Sequence, residues 1–382
     1  MKLSKDFALP TAARSVAHFV QLLTFFYLPL YLTKLGFNGW QIGILFSIFM
    51  LAGLFFAFPI GLSNDKFSSR RIAIIGAVLL IIAYIGLAKF TSFYTLMMIF
   101  LMLSFGWNAF NQSTDTFVLR NTKDKGKGKK FSLYFVFRQT GSLLGMIAGG
   151  ILLASISYQL LFVISALILA TTLFITFMLK KEDTYKFELT EYKSEVFKPY
   201  VLFLLLTVMM YAFHFGAEQT SYGLFLQNNL GLTTIGMGWY MGLAVVSMVI
   251  TGGVLSTKLD KTKSLLKYLV AGLVFSGASH ILMTIPNLYV SFAFRFLHEL
   301  GDAAVIILLM LYLRRFFSRE KIGGANGMMA LTITIGTIAG SIITGPIGEA
   351  IGYHWPLIIS GIIAILAVVP AVIHRQLEKK HK

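Results

Sequence analysis

Apolar residues dominate this chain in long runs that short polar segments interrupt at regular intervals. Twelve runs are long enough for a helix to cross a hydrocarbon core of roughly 30 Å, which takes about 20 residues. The predicted spans cover residues 11–33, 40–62, 72–89, 93–118, 132–155, 158–179, 199–227, 234–257, 265–285, 288–313, 322–346 and 354–374. The pattern therefore predicts an all-α polytopic membrane protein with twelve transmembrane helices.

The composition excludes a soluble globular protein of ordinary makeup. Hydrophobic residues make up 57% of the 382 residues, charged residues only 13%, and the mean hydropathy is +0.76. The net charge of +17 does not indicate nucleic acid binding, because the basic residues lie in short loops rather than on one solvated face. The absence of cysteine excludes disulfides and thiolate metal sites.

Alternate connections differ in positive charge. One set, around residues 34–39, 90–92, 156–157, 228–233, 286–287 and 347–353, carries only Lys34 and Lys89 as basic residues. The other set and both termini hold most of the remainder, including Arg70, Arg71 and the run 123–130. By the positive-inside rule, both termini are cytoplasmic, and we expect a multi-pass protein of the cell (inner) membrane.

The chain also repeats itself. Gln41-Ile42-Gly43 recurs as Thr234-Ile235-Gly236, and the fifth-span motif at 145–149 recurs in the eleventh span at 336–340. These repeats predict two six-helix halves, residues 1–179 and 199–382, with a functional site at their interface. The linker 180–198 carries five lysines and five acids, so we expect a solvated tether.

Four ionisable side chains share one face of the tenth span, Leu288 to Leu313. Arg295, His298, Glu299 and Asp302 are spaced i, i+3, i+4 and i+7. A charge near the bilayer midplane costs roughly 3 kcal/mol even on lenient scales, so packing alone does not explain four of them. We interpret Glu299 and Asp302 as proton carriers tuned by Arg295 and His298. The alternative is a static network in which Arg295 neutralises Glu299 and His298 bridges to Asp302.

The loop after the second span carries a family motif. Residues 61–71, Gly-Leu-Ser-Asn-Asp-Lys-Phe-Ser-Ser-Arg-Arg, are similar to the Gly-x-x-x-Asp-Arg-x-Gly-Arg-Lys signature of the major facilitator superfamily. Gly61 and Asp65 match, and Ser68 and Ser69 depart from it. The twelve-span plan extends this resemblance over essentially the whole chain.

The resemblance implies a conformational switch in this loop. In the family the acid, here Asp65, contacts the cytoplasmic start of the eleventh helix, here 321–324, and stabilises the outward-facing state. A basic loop residue pairs with an acid at the end of the fourth helix. Because Ser69 holds the basic position, Arg70 would have to substitute, with Arg71 beside it, and Asp115 is a candidate acid.

The resemblance also assigns the first, fourth, seventh and tenth helices to a central cavity, and these helices hold nearly all strongly polar residues deep within spans. Together with a fifth-helix arginine, the predicted cavity residues are His18, Gln21, Asn108, Asn111, Gln112, Asp115, Arg138 and His214. Glu218 is either a gate or second proton site, or an interfacial acid. Asp115 and Arg138 are alternatively an inner-leaflet ion pair. We interpret Arg14 as snorkelling to the interface and His280 as a packed residue outside the site.

These features predict a proton-coupled secondary transporter that moves a polar or charged small solute, such as a sugar, nucleoside or small organic ion, by alternating access. We expect a monomer without a cofactor, whose partners are the solute, protons and the lipid bilayer, and no enzymatic activity or nucleic acid binding. A multidrug or lipid/glycolipid exporter (flippase) on the same scaffold is the alternative, although Met146 replaces the proline of drug antiporters.

A remote alternative is an intramembrane metalloprotease, because His298-Glu299-Leu300-Gly301-Asp302 imitates a zinc motif. The second histidine of that motif is missing, and Arg295 would repel a metal, so we expect no metal.

Overall fold

A computed structural model describes residues 4–123, 126–182, 185, 197–261 and 264–380. Every regular element in this part of the chain is helical. The helices are α1 (Lys5–Thr24), α2 (Leu28–Lys34), α3 (Gly39–Ser63), α4 (Ser69–Lys89), α5 (Phe93–Asn121), α6 (Lys127–Leu153), α7 (Tyr158–Phe177), α8 (Pro199–Ala217), α9 (Gly223–Asn228), α10 (Thr234–Lys258), α11 (Leu265–Leu282), α12 (Leu288–Phe316), α13 (Ile322–Ile351), α14 (His354–Leu366) and α15 (Val368–Lys380).

Eleven helical segments of the described chain are long and apolar enough to cross a membrane, and one of them, Gln41–Lys89, has 49 residues. At 1.5 Å per residue this segment is roughly 74 Å long, more than twice the thickness of a hydrocarbon core. Ser68, whose φ is 96°, separates α3 from α4 within it. The segment therefore makes two crossings, and the prediction of an all-α fold with twelve spans is confirmed.

Three spans consist of two helices each. The first combines α1 and α2 around a 3₁₀ turn at Phe25–Tyr27, the seventh combines α8 and α9 around a π-helical turn at Glu218–Tyr222, and the twelfth combines α14 and α15. The remaining spans are the single helices α3 to α7 and α10 to α13. A π-helical turn inside an α-helical span frequently marks a functional site, so the seventh span is of special interest.

The chain forms two compact units. The first comprises Met1–Lys123, Phe137–Lys186 and Ser318–Leu331, and the second comprises Asp124–Val136, Phe187–Phe317 and Thr332–Lys382. Each unit thus includes one stretch from the other half of the sequence. The six-plus-six division at 179 and 199 stays a prediction.

The helices of each unit pack in the same order. In the first unit α4 packs against α5 and α7, and α3 packs against α5. In the second unit α11 packs against α12 and α14, and α10 packs against α12. The third, fourth and sixth spans therefore have the same mutual contacts as the ninth, tenth and twelfth.

Two glycines of the repeated motif lie at close helix contacts. A Cβ atom at Gly145 would lie 2.2 Å from the carbonyl oxygen of Phe19, and one at Gly340 would lie 2.0 Å from that of Phe213. Only glycine allows backbones to approach so closely. The fifth span thereby packs on the first, and the eleventh packs on the seventh.

Candidate functional site

The four ionisable residues of α12 are buried in the second unit. Arg295, His298, Glu299 and Asp302 expose between 1% and 5% of their surface. Their helix lies close to α11, because a Cβ atom at Gly301 would lie 2.4 Å from the backbone nitrogen of Ser276. The polar face of α12 therefore points into the unit.

Arg295 joins the seventh span to its own helix. Its guanidinium contacts both carboxylate oxygens of Glu218, with 3.4 Å between Nη2 and Oε2. The same Nη2 lies 2.5 Å from Oε1 of Glu299. The guanidinium carbon of Arg295 also lies over the ring of Tyr222, 4.7 Å from the ring centroid. Glu218 and Tyr222 are the first and last residues of the π-helical turn, so both ends of this turn face Arg295.

Asp302 and His298 form the other end of the network. Asp302 accepts a 2.6 Å hydrogen bond from the Ser276 hydroxyl, and its Oδ2 lies 3.1 Å from Nε2 of His214. Nδ1 of His298 lies 2.9 Å from the carbonyl oxygen of Ser276, and its Nε2 lies 3.2 Å from Glu218 and 3.6 Å from Asp302. His298 therefore sits between two carboxylates.

The expectation that His280 lies outside the site is wrong. This fully buried imidazole has its ring centroid 4.6 Å from that of His298 and 5.4 Å from that of His214, and its Nδ1 lies 3.9 Å from Oε1 of Glu218. As the one histidine of its span, it carried no periodic signal that sequence analysis could use.

We call these seven residues the charged cluster: His214, Glu218, His280, Arg295, His298, Glu299 and Asp302. Among the described residues of the cluster, Arg295 contacts the carboxylates of Glu218 and Glu299, and the third carboxylate, that of Asp302, lies beside two imidazoles. With neutral imidazoles the cluster carries a net charge of −2, which is costly in a buried site. Protons on its imidazoles or carboxyl groups remove that charge, so the arrangement can bind and exchange protons.

His214, Glu218 and His298 have ligand atoms within 4.8 Å of one another, a spacing that one metal ion could bridge. The donor set of two imidazoles and a carboxylate suits a transition metal. However, Arg295 already occupies both oxygens of Glu218 and brings a permanent positive charge to the same point. We therefore assign no metal here.

The first unit presents a second polar face, on α1 and α5. Nε of Arg14 lies 3.3 Å from Oδ1 of Asp115, and its Nη1 donates a 2.6 Å hydrogen bond to Asn111. Only 5% of Arg14 is exposed. The interpretation of Arg14 as snorkelling to the interface is therefore wrong, because its guanidinium turns inward to a carboxylate.

Amides extend this face along the two helices. Gln112 donates to Oδ1 of Asn108 at 3.3 Å, and Asn108 donates to the carbonyl oxygen of Ser104 at 2.9 Å. Three buried polar atoms have no hydrogen-bond partner among the described residues: Nδ1 of His18, Oε1 of Gln21 and Oε1 of Gln112. We call His18, Gln21, Asn108, Asn111, Gln112 and Asp115 the polar face.

The remaining two predicted cavity residues lie elsewhere. His214 belongs to the charged cluster. Arg138 is half-buried on α6, where its Nε donates to Gln139 at 3.4 Å. The predicted cavity set thus divides among the polar face, the charged cluster and, for Arg138, α6.

Asp65 makes the contact that the family resemblance implied. Its carboxylate is fully buried and accepts hydrogen bonds from the backbone N–H groups of Gly323, at 2.9 Å, and Gly324, at 2.7 Å. These groups open α13, where free N–H groups and the helix dipole favour a carboxylate. Gly61 permits the approach, because a Cβ atom there would lie 2.6 Å from the carbonyl oxygen of Gly323.

The basic partner in this loop differs from the expectation. Arg120, at the end of α5, pairs with Asp65, whereas Arg70 donates to the carbonyl oxygen of Phe177 at 2.7 Å and Arg71 is exposed. Asp115, the candidate relay acid, pairs with Arg14. The fourth span thus supplies a base to this loop instead of an acid, and the prediction that Arg70 pairs with a fourth-span acid is wrong.

A family model for the Major Facilitator Superfamily matches residues 11–268 and 263–382. The chain belongs to the Major Facilitator Superfamily. It is accordingly a secondary transporter for a small molecule and not an enzyme, as predicted. No curated protein sequence matches it.

Several solved structures are similar to the chain in fold over nearly their whole length. The human organic anion transporter MFSD10 (TETRAN) is 14% identical, with 97% of this chain and 100% of that chain covered and a TM-score of 0.81. A bacterial homologue of the iron transporter ferroportin is 13% identical, with 98% and 100% covered and a TM-score of 0.79. The E. coli fucose:proton symporter FucP is 14% identical, with 96% and 98% covered and a TM-score of 0.76. At these identities the likeness shows the fold alone.

Proposed function

We propose that this protein is a proton-coupled secondary transporter that moves a polar or charged small solute across the cell membrane. Both termini are cytoplasmic in this proposal, because the basic residues concentrate in the loops on that side. The observation that carries the proposal is the charged cluster, in which one guanidinium contacts two carboxylates and two imidazoles lie beside a third.

The coupling follows from the position of Arg295. Its guanidinium contacts Glu218 and Glu299 at once, so a proton on Glu299 weakens one contact and leaves the other. Arg295 then turns to Glu218, on the seventh span. Proton binding thereby changes the contact between the seventh and tenth spans, which the family resemblance assigns to the central cavity.

Asp302 has a different role. Its two imidazole neighbours and the Ser276 hydroxyl satisfy it as a carboxylate. A proton arriving on His298 strengthens these contacts with both Asp302 and Glu218. We therefore assign Glu299 as the first proton carrier, tuned by Arg295. Asp302 is the second in this proposal, and it shares its proton with His298, the tuning group beside it.

The solute binds at the polar face of the first unit in this proposal. The amides of this face offer donors and acceptors, and three of its buried polar atoms have no hydrogen-bond partner among the described residues. Such a surface suits a solute with several hydroxyl or amino groups, such as a sugar, a nucleoside or a small organic ion.

The static network remains the competing explanation, since its two contacts, Arg295 with Glu299 and His298 with Asp302, both exist. Transport in proteoliposomes separates the two. A thermal-shift screen of sugars, nucleosides and small organic ions first identifies a stabilising solute. Glu299→Gln and Asp302→Asn are then expected to abolish uptake driven by a pH gradient while solute exchange persists. Full gradient-driven uptake in both variants contradicts proton coupling at the cluster.

A further inference from the structure

We propose that Glu182 and Tyr185, together with Arg120, are positioning residues of the conformational switch. Glu182 and Tyr185 follow the sixth span and belong to the predicted linker, and we call this pair the strap. The inference rests on the proposed role of Asp65 as the switch acid. In this proposal the strap fastens the contact between Asp65 and the start of α13.

Arg120 is the centre of the arrangement. Its side chain is 4% exposed and pairs with Asp65, and its Nε donates to the carbonyl oxygen of Arg319 at 3.1 Å. Nη1 donates to the carbonyl oxygen of Asn64 at 3.3 Å and to the hydroxyl of Ser69 at 3.4 Å. One guanidinium therefore holds the motif loop and the residues just before α13 together.

Glu182 closes the other side of this guanidinium. Its Oε1 lies 3.5 Å from Nη1 of Arg120 and accepts a 3.2 Å hydrogen bond from Asn121. Its Oε2 accepts a 3.3 Å hydrogen bond from the backbone N–H of Arg70. Only 6% of Glu182 is exposed. The expectation of a solvated tether is therefore wrong at Glu182.

Tyr185 adds a second anchor from the same segment. Its backbone N–H donates to the carbonyl oxygen of Asp65 at 3.1 Å, and the guanidinium of Arg120 lies 5.3 Å from its ring centroid. The strap thus touches both partners of the buried ion pair, Asp65 and Arg120.

The two anchors fix the orientation of Arg120. With Glu182 and the Tyr185 ring in place, the guanidinium has a carboxylate on either side and an aromatic face against it. Without them the guanidinium keeps its bonds to the carbonyl oxygens of Arg319 and Asn64, but it is held less firmly against Asp65. The strap thereby sets how readily the switch opens.

Because the chain has no cysteine, a single introduced cysteine can report opening of the switch. Ala57 on α3 is fully buried, and its carbonyl oxygen would lie 2.8 Å from a Cβ atom at Gly327 on α13. In an Ala57→Cys background, the labelling rate by a membrane-impermeant maleimide on inside-out vesicles reports opening at the cytoplasmic ends. We expect Glu182→Ala and Tyr185→Ala to raise this rate about tenfold, a change of about 1.4 kcal/mol in the opening equilibrium.

Two matched controls should leave the rate unchanged. Tyr185→Phe keeps the ring and the backbone N–H, and Glu349→Ala removes an exposed acid near the opposite end of α13. Melting temperatures of all variants identify any that fail to fold, and Glu182→Asp, which keeps the carboxylate one methylene shorter, serves as the milder test with a smaller rise.

Unchanged labelling in folded Glu182→Ala and Tyr185→Ala proteins overturns the strap. Asp65→Asn then shows what else has failed. If labelling is faster in Asp65→Asn, Asp65 is part of the switch and only the role of the strap is overturned. If labelling is unchanged, both the strap and the switch role of Asp65 are overturned. Neither result bears on proton coupling, because the charged cluster lies in the second unit.

Discussion

Arg295 contacts Glu218 on the seventh span while it also holds Glu299 one turn further along α12. One permanently charged group thus contacts two carboxylates, of which Glu299 is buried and Glu218 half-buried, and neither carboxylate keeps its environment if the guanidinium is lost.

Arg295→Met is expected to destabilise the protein, because it leaves adjacent buried carboxylates without their cation. Breaking a buried pair from one side costs about 3–5 kcal/mol, so the melting temperature should fall clearly. Glu218→Gln in the same chain removes one orphaned charge and should recover part of the loss. A double variant less stable than Arg295→Met would contradict the pairing.

Close helix packing at the repeated glycine motif predicts a second set of effects. Gly145→Ala and Gly340→Ala place a methyl group 2.2 Å and 2.0 Å from a carbonyl oxygen of the neighbouring helix, so each should lower stability by about 1–3 kcal/mol. Gly253→Ala is the matched control on α10, since its Cβ atom would meet nothing within 4 Å. Thermal unfolding in detergent measures all three. Equal melting temperatures for Gly253→Ala and Gly340→Ala would contradict the backbone contact.

Hydropathy was sufficient to predict the twelve spans, because only helices of about 20 apolar residues satisfy their backbone groups in lipid. The shared face of the charged residues on α12 could also be predicted, because the positions of Arg295 and Asp302 on the helix surface depend only on the helical period. The switch contact of Asp65 followed from a family motif.

The partners of these residues were harder to predict. His280 and Glu182 meet their partners through helix packing, across 18 and 62 residues of sequence to His298 and Arg120. In the sequence, nothing distinguishes Arg120 from the other basic residues at the cytoplasmic ends of helices. Neither hydropathy nor local spacing encodes which side chains of different helices come to lie together.

The buried carboxyl group of Glu182 predicts a pH-dependent stability. Burial is the main influence on it and raises its pKa above the ordinary value of 4.5, against the opposing attraction of Arg120. Because the folded protein binds this proton more strongly than the unfolded chain, the stabilisation is complete below pH 4.5 and disappears as the pH rises through the folded pKa. The non-titrating variant Glu182→Gln lacks this dependence.

The melting temperature of the native protein relative to Glu182→Gln should therefore fall as the pH is raised from about 5 to 8. All other titrating groups are common to both proteins and cancel in the difference. A difference that increases with pH would show that Arg120 outweighs burial.

The polar face predicts a separation of binding from coupling. Gln112→Leu removes an amide whose Oε1 has no hydrogen-bond partner among the described residues, so it should raise the KM for the solute about tenfold or more. The dependence of uptake on the pH gradient should persist. Tyr94→Leu, near the start of the same helix and 78% exposed, is the control and should leave KM unchanged. Loss of gradient dependence with normal KM in Gln112→Leu would contradict this division.

The central claim is that protons act through Glu299. The most direct measurement compares two rates in the same proteoliposomes, solute uptake driven by a pH gradient and exchange of solute at equal pH, for the native protein and Glu299→Gln. We predict that the variant loses gradient-driven accumulation and retains exchange, because its neutral side chain no longer competes for Arg295. Native gradient-driven accumulation in Glu299→Gln would contradict the account.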